Sequence, residues 1–113
     1  MDAAEVRRFA VGLPGTEEYE HGGLPAFRVR GRRFGSMLAE DGINLMPGED
    51  AIREAVAEWP RACQEVWFGK RLMAVRVEFA QLDPGIVREL ITDAWRSKAP
   101  ARLAATLPPD ANP

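Results

Sequence analysis

The chain has 113 residues, 46% of them apolar, with 17 acidic and 15 basic side chains and a formal charge of −2. That length suits one small domain with its own core, and the slight acidity excludes nucleic-acid binding through overall charge, so anion binding needs a local cluster. A lone Cys63 excludes an internal disulfide, a single His21 leaves the usual thiolate and imidazole zinc sites unassembled, and no run reaches the ~20 apolar residues of a membrane span.

In chain order, Asp2 caps an expected first helix from Ala3 to Val11, with Val6, Phe9 and Ala10 on one face and Gly12 as its stop. The opening Met1-Asp2-Ala3-Ala4-Glu5 lacks the basic start and apolar stretch of a signal peptide, so the expected location is the cytoplasm. Leu13-Pro14-Gly15 breaks the chain, Glu17 to His21 reads as a short strand, and Gly22-Gly23 connects it to a hairpin over residues 25–37. Taking Gly31-Arg32 as the turn pairs Arg30 with Arg33, Val29 with Phe34, Arg28 with Gly35 and Phe27 with Ser36. Phe27, Val29, Phe34 and Leu38 then share one face, and Arg28, Arg30 and Arg33 the other. Asp41-Gly42 is the signature of a type I′ turn, returning Ile43 to Met46 as a further antiparallel strand.

Pro47-Gly48 ends that meander, and Glu49 to Glu58 reads as a helix with Ile52, Ala55, Val56 and Trp59 inward and Pro60 closing it. Val66 to Phe68 and Leu72 to Phe79 form a second expected hairpin with a basic tip at Lys70-Arg71. Met73, Val75, Val77 and Phe79 alternate with Ala74, Arg76 and Glu78, which predicts one buried and one wet face. Asp83-Pro84 opens a last helix in which Ile86, Val87, Leu90, Ile91, Ala94 and Trp95 recur at helical spacing up to Pro100. The segment Ala101-Arg102-Leu103 is expected to be ordered, with residues 1–105 as one domain and 106–113 as a disordered tail. The fold class this order predicts is α+β, an antiparallel sheet of hairpins with about three helices packed on it.

Four segments together carry a resemblance: Leu13-Pro14-Gly15-Thr16-Glu17-Glu18, Gly23-Leu24-Pro25-Ala26-Phe27-Arg28-Val29-Arg30-Gly31-Arg32, Glu40-Asp41-Gly42, and Ala94-Trp95-Arg96-Ser97-Lys98-Ala99-Pro100-Ala101-Arg102-Leu103. In this order and over nearly the whole chain they resemble the MmcQ/YjbR family. The resemblance implies a double wing, two protruding hairpins on a helix-backed antiparallel sheet through which double-stranded DNA would be bound, and it brings no catalytic residue set. Between Pro60 and Leu72 the chain is shorter than many relatives, which implies a reduced second wing.

The chemistry of the first hairpin admits two readings. Arg28, Arg30, Arg32 and Arg33, joined by Lys70 and Arg71, are suited to phosphate contact, which positions a nucleic acid without reading its sequence. Alternatively Glu17, Glu18 and Glu20 on the neighbouring strand pair with these arginines across the sheet as a solvated ionic surface. A protein-interaction or small-ligand module is the other functional class, and a monomer the expected state. No enzyme is expected. His21 beside Tyr19 and Glu20 has no recognisable nucleophile near it, Gly35-Ser36 is no nucleophile elbow, and Cys63 reads as a small core residue. The glycines at 22, 23, 31 and 35 precede no helix at phosphate-cradling spacing, and no cofactor is expected. Trp59, Trp67 and Trp95 occupy apolar positions and are expected in the core, with base stacking the alternative to be tested at Trp67.

Overall fold

A computed structural model describes residues 1–39 and 41–107. The elements are α1 (Ala3–Val11), β1 (Thr16–His21), β2 (Leu24–Val29), β3 (Arg32–Met37), β4 (Gly42–Leu45), α2 (Glu49–Glu58), β5 (Cys63–Phe68), β6 (Arg71–Glu78), a 3-10 turn at Phe79–Gln81, α3 (Pro84–Lys98) and α4 (Ala101–Ala104). The six strands form one sheet in the order β1-β2-β3-β4-β6-β5, and every neighbouring pair is antiparallel. Buried residues of α1, α2 and α3 join those of the sheet in a single cluster, so the helices lie on one face. The α+β class and the antiparallel sheet agree with the sequence.

Capping chemistry sets the helix starts. Asp2 Oδ1 accepts from the Glu5 N–H and Glu5 Oε1 accepts from the Asp2 N–H, a reciprocal pair that satisfies two otherwise orphaned donors. Asp83 caps α3 in a similar way, its side chain accepting from the Gly85 N–H while Pro84 fills the first position. On α3, Val87, Leu90, Ile91, Ala94 and Trp95 are buried, as their spacing predicts.

The first hairpin differs from its expected register. Its turn is Arg30-Gly31, both left-handed at φ 52° and 77°, so Val29 faces Arg32 and Arg28 faces Arg33. A bulge then resets the strands, with Phe27 opposite Gly35 and Ala26 opposite Ser36. Phe34 is the extra residue and is fully buried with Phe27 and Val29. This shift makes Met37, not Leu38, the next core residue. A second bulge at Val66/Trp67 has the same consequence on β6, where Leu72 enters the core and Met73 does not.

Gly42 is also not the turn residue its Asp-Gly context suggests. It is the buried first residue of β4, opposite Glu78, and a Cβ there would meet Leu38 Cδ1 at 3.3 Å. Close approach of the chain explains the glycine. Glu40 of the expected turn lies outside the described residues, as does the expected tail from residue 108. Thr106 donates its N–H to the Leu103 carbonyl, and Leu107 packs at the edge of the core.

Between α2 and α3 runs a groove of about 110 Å³ with Glu54, Glu58, Glu89 and Asp93 on its walls. Although Asp93 is an exposed residue, partial desolvation against the groove walls, reinforced by repulsion from Glu89 and Glu54 and opposed by Arg96, pushes its carboxyl above its ordinary value. A carboxyl whose folded value is raised contributes stability below its unfolded value and loses it as pH rises through the folded one. Asp93→Asn is therefore expected to stabilise the protein modestly at neutral pH. In thermal melts the gain should vanish in acid, below the range of an unfolded carboxyl.

Candidate nucleic-acid interface

The sheet order brings the two basic tips to the same end of the molecule. Since β3–β4 and β4–β6 are both antiparallel, β3 and β6 run the same way with one strand between them. Their first residues, Arg32 and Arg71, thus stand at one end, about 10 Å apart at two strand spacings. Between them β4 stops and the chain turns away through Met46 and Pro47 toward α2. The two hairpin turns therefore share one end of the sheet.

The end of α3 closes the same region from the helical side. Arg32 Nη1 donates to the Lys98 carbonyl at 3.4 Å, a long contact that places the guanidinium over the negative end of the helix. Burial first, and then the positive charges of Arg32 and Arg71, lower the ammonium pKa of Lys98. Lys98 therefore lies in the field of one cation from each hairpin tip. Among the described residues, no carboxylate lies within 4 Å of the charged nitrogens of Arg30, Arg32, Arg33, Lys70, Arg71 or Lys98.

Arg28 is placed differently from the other hairpin arginines. Its Nε donates to Glu17 Oε1 at 2.6 Å across the β1–β2 pair, and its guanidinium lies 4.3 Å from the centre of the Tyr19 ring. Of the other two glutamates on β1, Glu18 reaches out of the sheet to bind Arg7 of α1 through both oxygens at 2.6 Å. That bidentate bond lowers the Glu18 pKa and raises that of Arg7. Acids beside the hairpin thus neutralise Arg28 and Arg7, and among the described residues none pairs with the arginines of the tip.

Sequence reading missed Lys98, which has no local signal. It stands 66 residues from Arg32 and looks like any basic residue complementing a helix C-terminus. The tryptophans divide. Trp95 is fully buried and Trp59 is half-buried against the core, but Trp67 is 49% exposed and Phe68 beside it 73% exposed. The core expectation for Trp67 is corrected for a topological reason: β5 is an outermost strand and Trp67 follows its bulge near the free tip.

His21 is exposed at the Gly22-Gly23 turn, and Cys63 is buried. Burial pushes the Cys63 thiol up to about 11. Because the folded value exceeds the unfolded one, its contribution to stability is full below the ordinary thiol value and is lost as pH rises through the folded value. Stability should accordingly fall in chemical denaturation series run upward from pH 9 to pH 11, the span between the ordinary and shifted values. Iodoacetamide should label the native thiol only at the rate of unfolding.

Among the described residues no group of three or more His, Cys, Asp or Glu side chains is placed to hold a metal ion. No helix among them is long and apolar enough to cross a membrane. No curated protein and no solved structure matches the chain. A family model described as YjbR does match, over residues 11–97, a span that takes in both hairpins and α3 almost to Lys98. The chain belongs to the YjbR family.

Proposed function

We propose that this protein binds DNA through its phosphates, without reading sequence, at the end of the sheet where the two hairpin tips and α3 meet. The cations of the site are Arg30, Arg32 and Arg33 of the first tip, Lys70 and Arg71 of the second, and Lys98. Arg28, already paired with Glu17, supports the hairpin and lies outside the contact set. The observation that carries the reading is that both hairpin tips lie at the end of the sheet where Arg32 contacts the C-terminus of α3 beside Lys98, with no carboxylate partner for these cations among the described residues. Gathering like charges without a counter-charge costs free energy in the unbound protein, and an anionic polymer removes that cost.

The role is binding, with no catalytic step and no cofactor. Local charge suffices despite the acidity of the chain, because screening limits each charge to about 10 Å at moderate salt. Affinity for duplex DNA should lie at about the micromolar level or weaker, as for other sequence-independent binding, and should fall steeply with salt. Arg30→Ala/Arg32→Ala/Arg33→Ala is expected to reduce the log–log salt slope by about 3, near 1 for each phosphate no longer neutralised. Fluorescence anisotropy of labelled duplex over a salt series measures both quantities. A triple variant with the wild-type slope would remove the first hairpin from the site.

A further inference from the structure

The exposed aromatic pair on the second wing indicates which form of DNA the site takes. Trp67 and Phe68 end the outermost strand β5, facing Leu72 and Arg71 across the hairpin, and Lys70 lies in the turn between. Trp67 is 49% exposed and Phe68 73%, whereas Phe27, Phe34, Phe79 and Trp95 are fully buried. The indole N–H is held by Glu65 Oε1 at 3.2 Å, which fixes the edge of the ring.

We propose that the β5–β6 tip is a stacking platform for unpaired bases, so that single-stranded DNA, or a junction carrying an unpaired strand, is the preferred ligand of this site. The inference rests on the phosphate-binding reading above. Proteins that hold single strands pair a cationic groove along the backbone with aromatic faces for the bases, and stacking tolerates any base. Here Arg32, Arg71 and Lys98 supply the positive charge, and Trp67 and Phe68, consecutive on β5 and so on opposite sides of the sheet, supply two separate rings. Charge also argues against a second copy of the chain as the occupant, since pairing these tips would bring Lys70 and Arg71 of each toward a like cluster.

The test is anisotropy with labelled oligothymidylate and labelled duplex, comparing wild type with Trp67→Ala/Phe68→Ala and with Trp67→Phe. Wild type should bind oligothymidylate more tightly than duplex. The double variant should lose about tenfold or more for oligothymidylate, the effect of stacking one to two bases, with duplex affinity unchanged. Trp67→Phe, which keeps a π-face, should retain most of the binding. Because both side chains are exposed, folding is expected to survive, and circular dichroism checks it. Wild-type affinity of the double variant for the single strand overturns the platform while leaving the phosphate reading intact. Loss of self-association in that variant with single-strand binding unchanged assigns the rings to a second copy and overturns the platform equally. Absence of salt-sensitive binding to either DNA overturns both inferences.

Discussion

Trp95→Ala is expected to lower stability by about 3–5 kcal/mol, the range for removing a large aromatic side chain from a core. Trp95 is fully buried and lies with Val6, Ala10 and Leu13 of the α1 region in the same cluster as Phe34. Its indole N–H donates to the Pro14 carbonyl at 2.9 Å, tying α3 to the break that follows α1. The substitution therefore opens a cavity and orphans a carbonyl in the same step, and the second effect alone is worth about 1–3 kcal/mol. Against a typical stability of about 5–15 kcal/mol the loss is large. Urea denaturation should show it as a lower midpoint, and Trp95→Phe, which restores much of the volume but not the donor, should recover part of it. A loss below about 1 kcal/mol would mean that the site collapses around the deletion, contrary to the packing described.

Phe34→Ala is the second large effect, again about 3–5 kcal/mol. Phe34 is the extra residue of the β2–β3 bulge, and its ring lies 6.2 Å from that of Phe27 at a 31° tilt. Burial of this side chain is what holds the bulge. Without it the alternative register, with Gly31-Arg32 as the turn, loses its main competitor, and the first wing should slip or fray. Hydrogen exchange would then be faster in β2 and β3 than in β5 and β6. Uniform acceleration across the sheet would show instead that Phe34 supports the whole core and not the wing in particular.

The same residue shows where sequence reading succeeds and where it stops. Alternation identified Phe27, Val29 and Phe34 as core residues, and they are. Periodicity does not encode the bulges, so the partners of Arg28 and the fates of Met37 and Leu72 followed from strand pairing that only the folded sheet fixes. Helices α1, α2 and α3 were legible to within a residue since Asp2, Pro60, Pro84 and Pro100 punctuate them, whereas α4 was expected only as an ordered segment. The candidate site was legible in part. Arg32 and Arg71 stand out as tip residues, but their convergence with Lys98 depends on β3 and β6 running the same way on either side of β4. Trp67 was misplaced because an apolar residue on an outermost strand has the same local pattern as one in the interior.

The arrangement also divides labour among the arginines. Arg28 and Arg7 are bound to Glu17 and Glu18, and exposed pairs of this kind add little to stability, about 0–1 kcal/mol. Their role is local, orienting β1 against β2 and α1. The cations at the tips have no carboxylate partner among the described residues, and Arg32 has only the long contact to the Lys98 carbonyl, so their removal is expected to affect the fold little.

That difference gives the most direct test of DNA binding at the converging tips. Duplex and oligothymidylate binding should be measured by anisotropy at one low salt concentration for Arg32→Ala/Lys98→Ala/Arg71→Ala and for Arg28→Ala, with both variants confirmed as folded. The triple variant is predicted to lose binding to both DNAs by about tenfold or more, roughly 0.5 kcal/mol or more for each charge removed, while Arg28→Ala stays within about twofold of wild type. Binding that survives removal of the three converging cations, or that depends on Arg28 as strongly as on them, would contradict the proposed site.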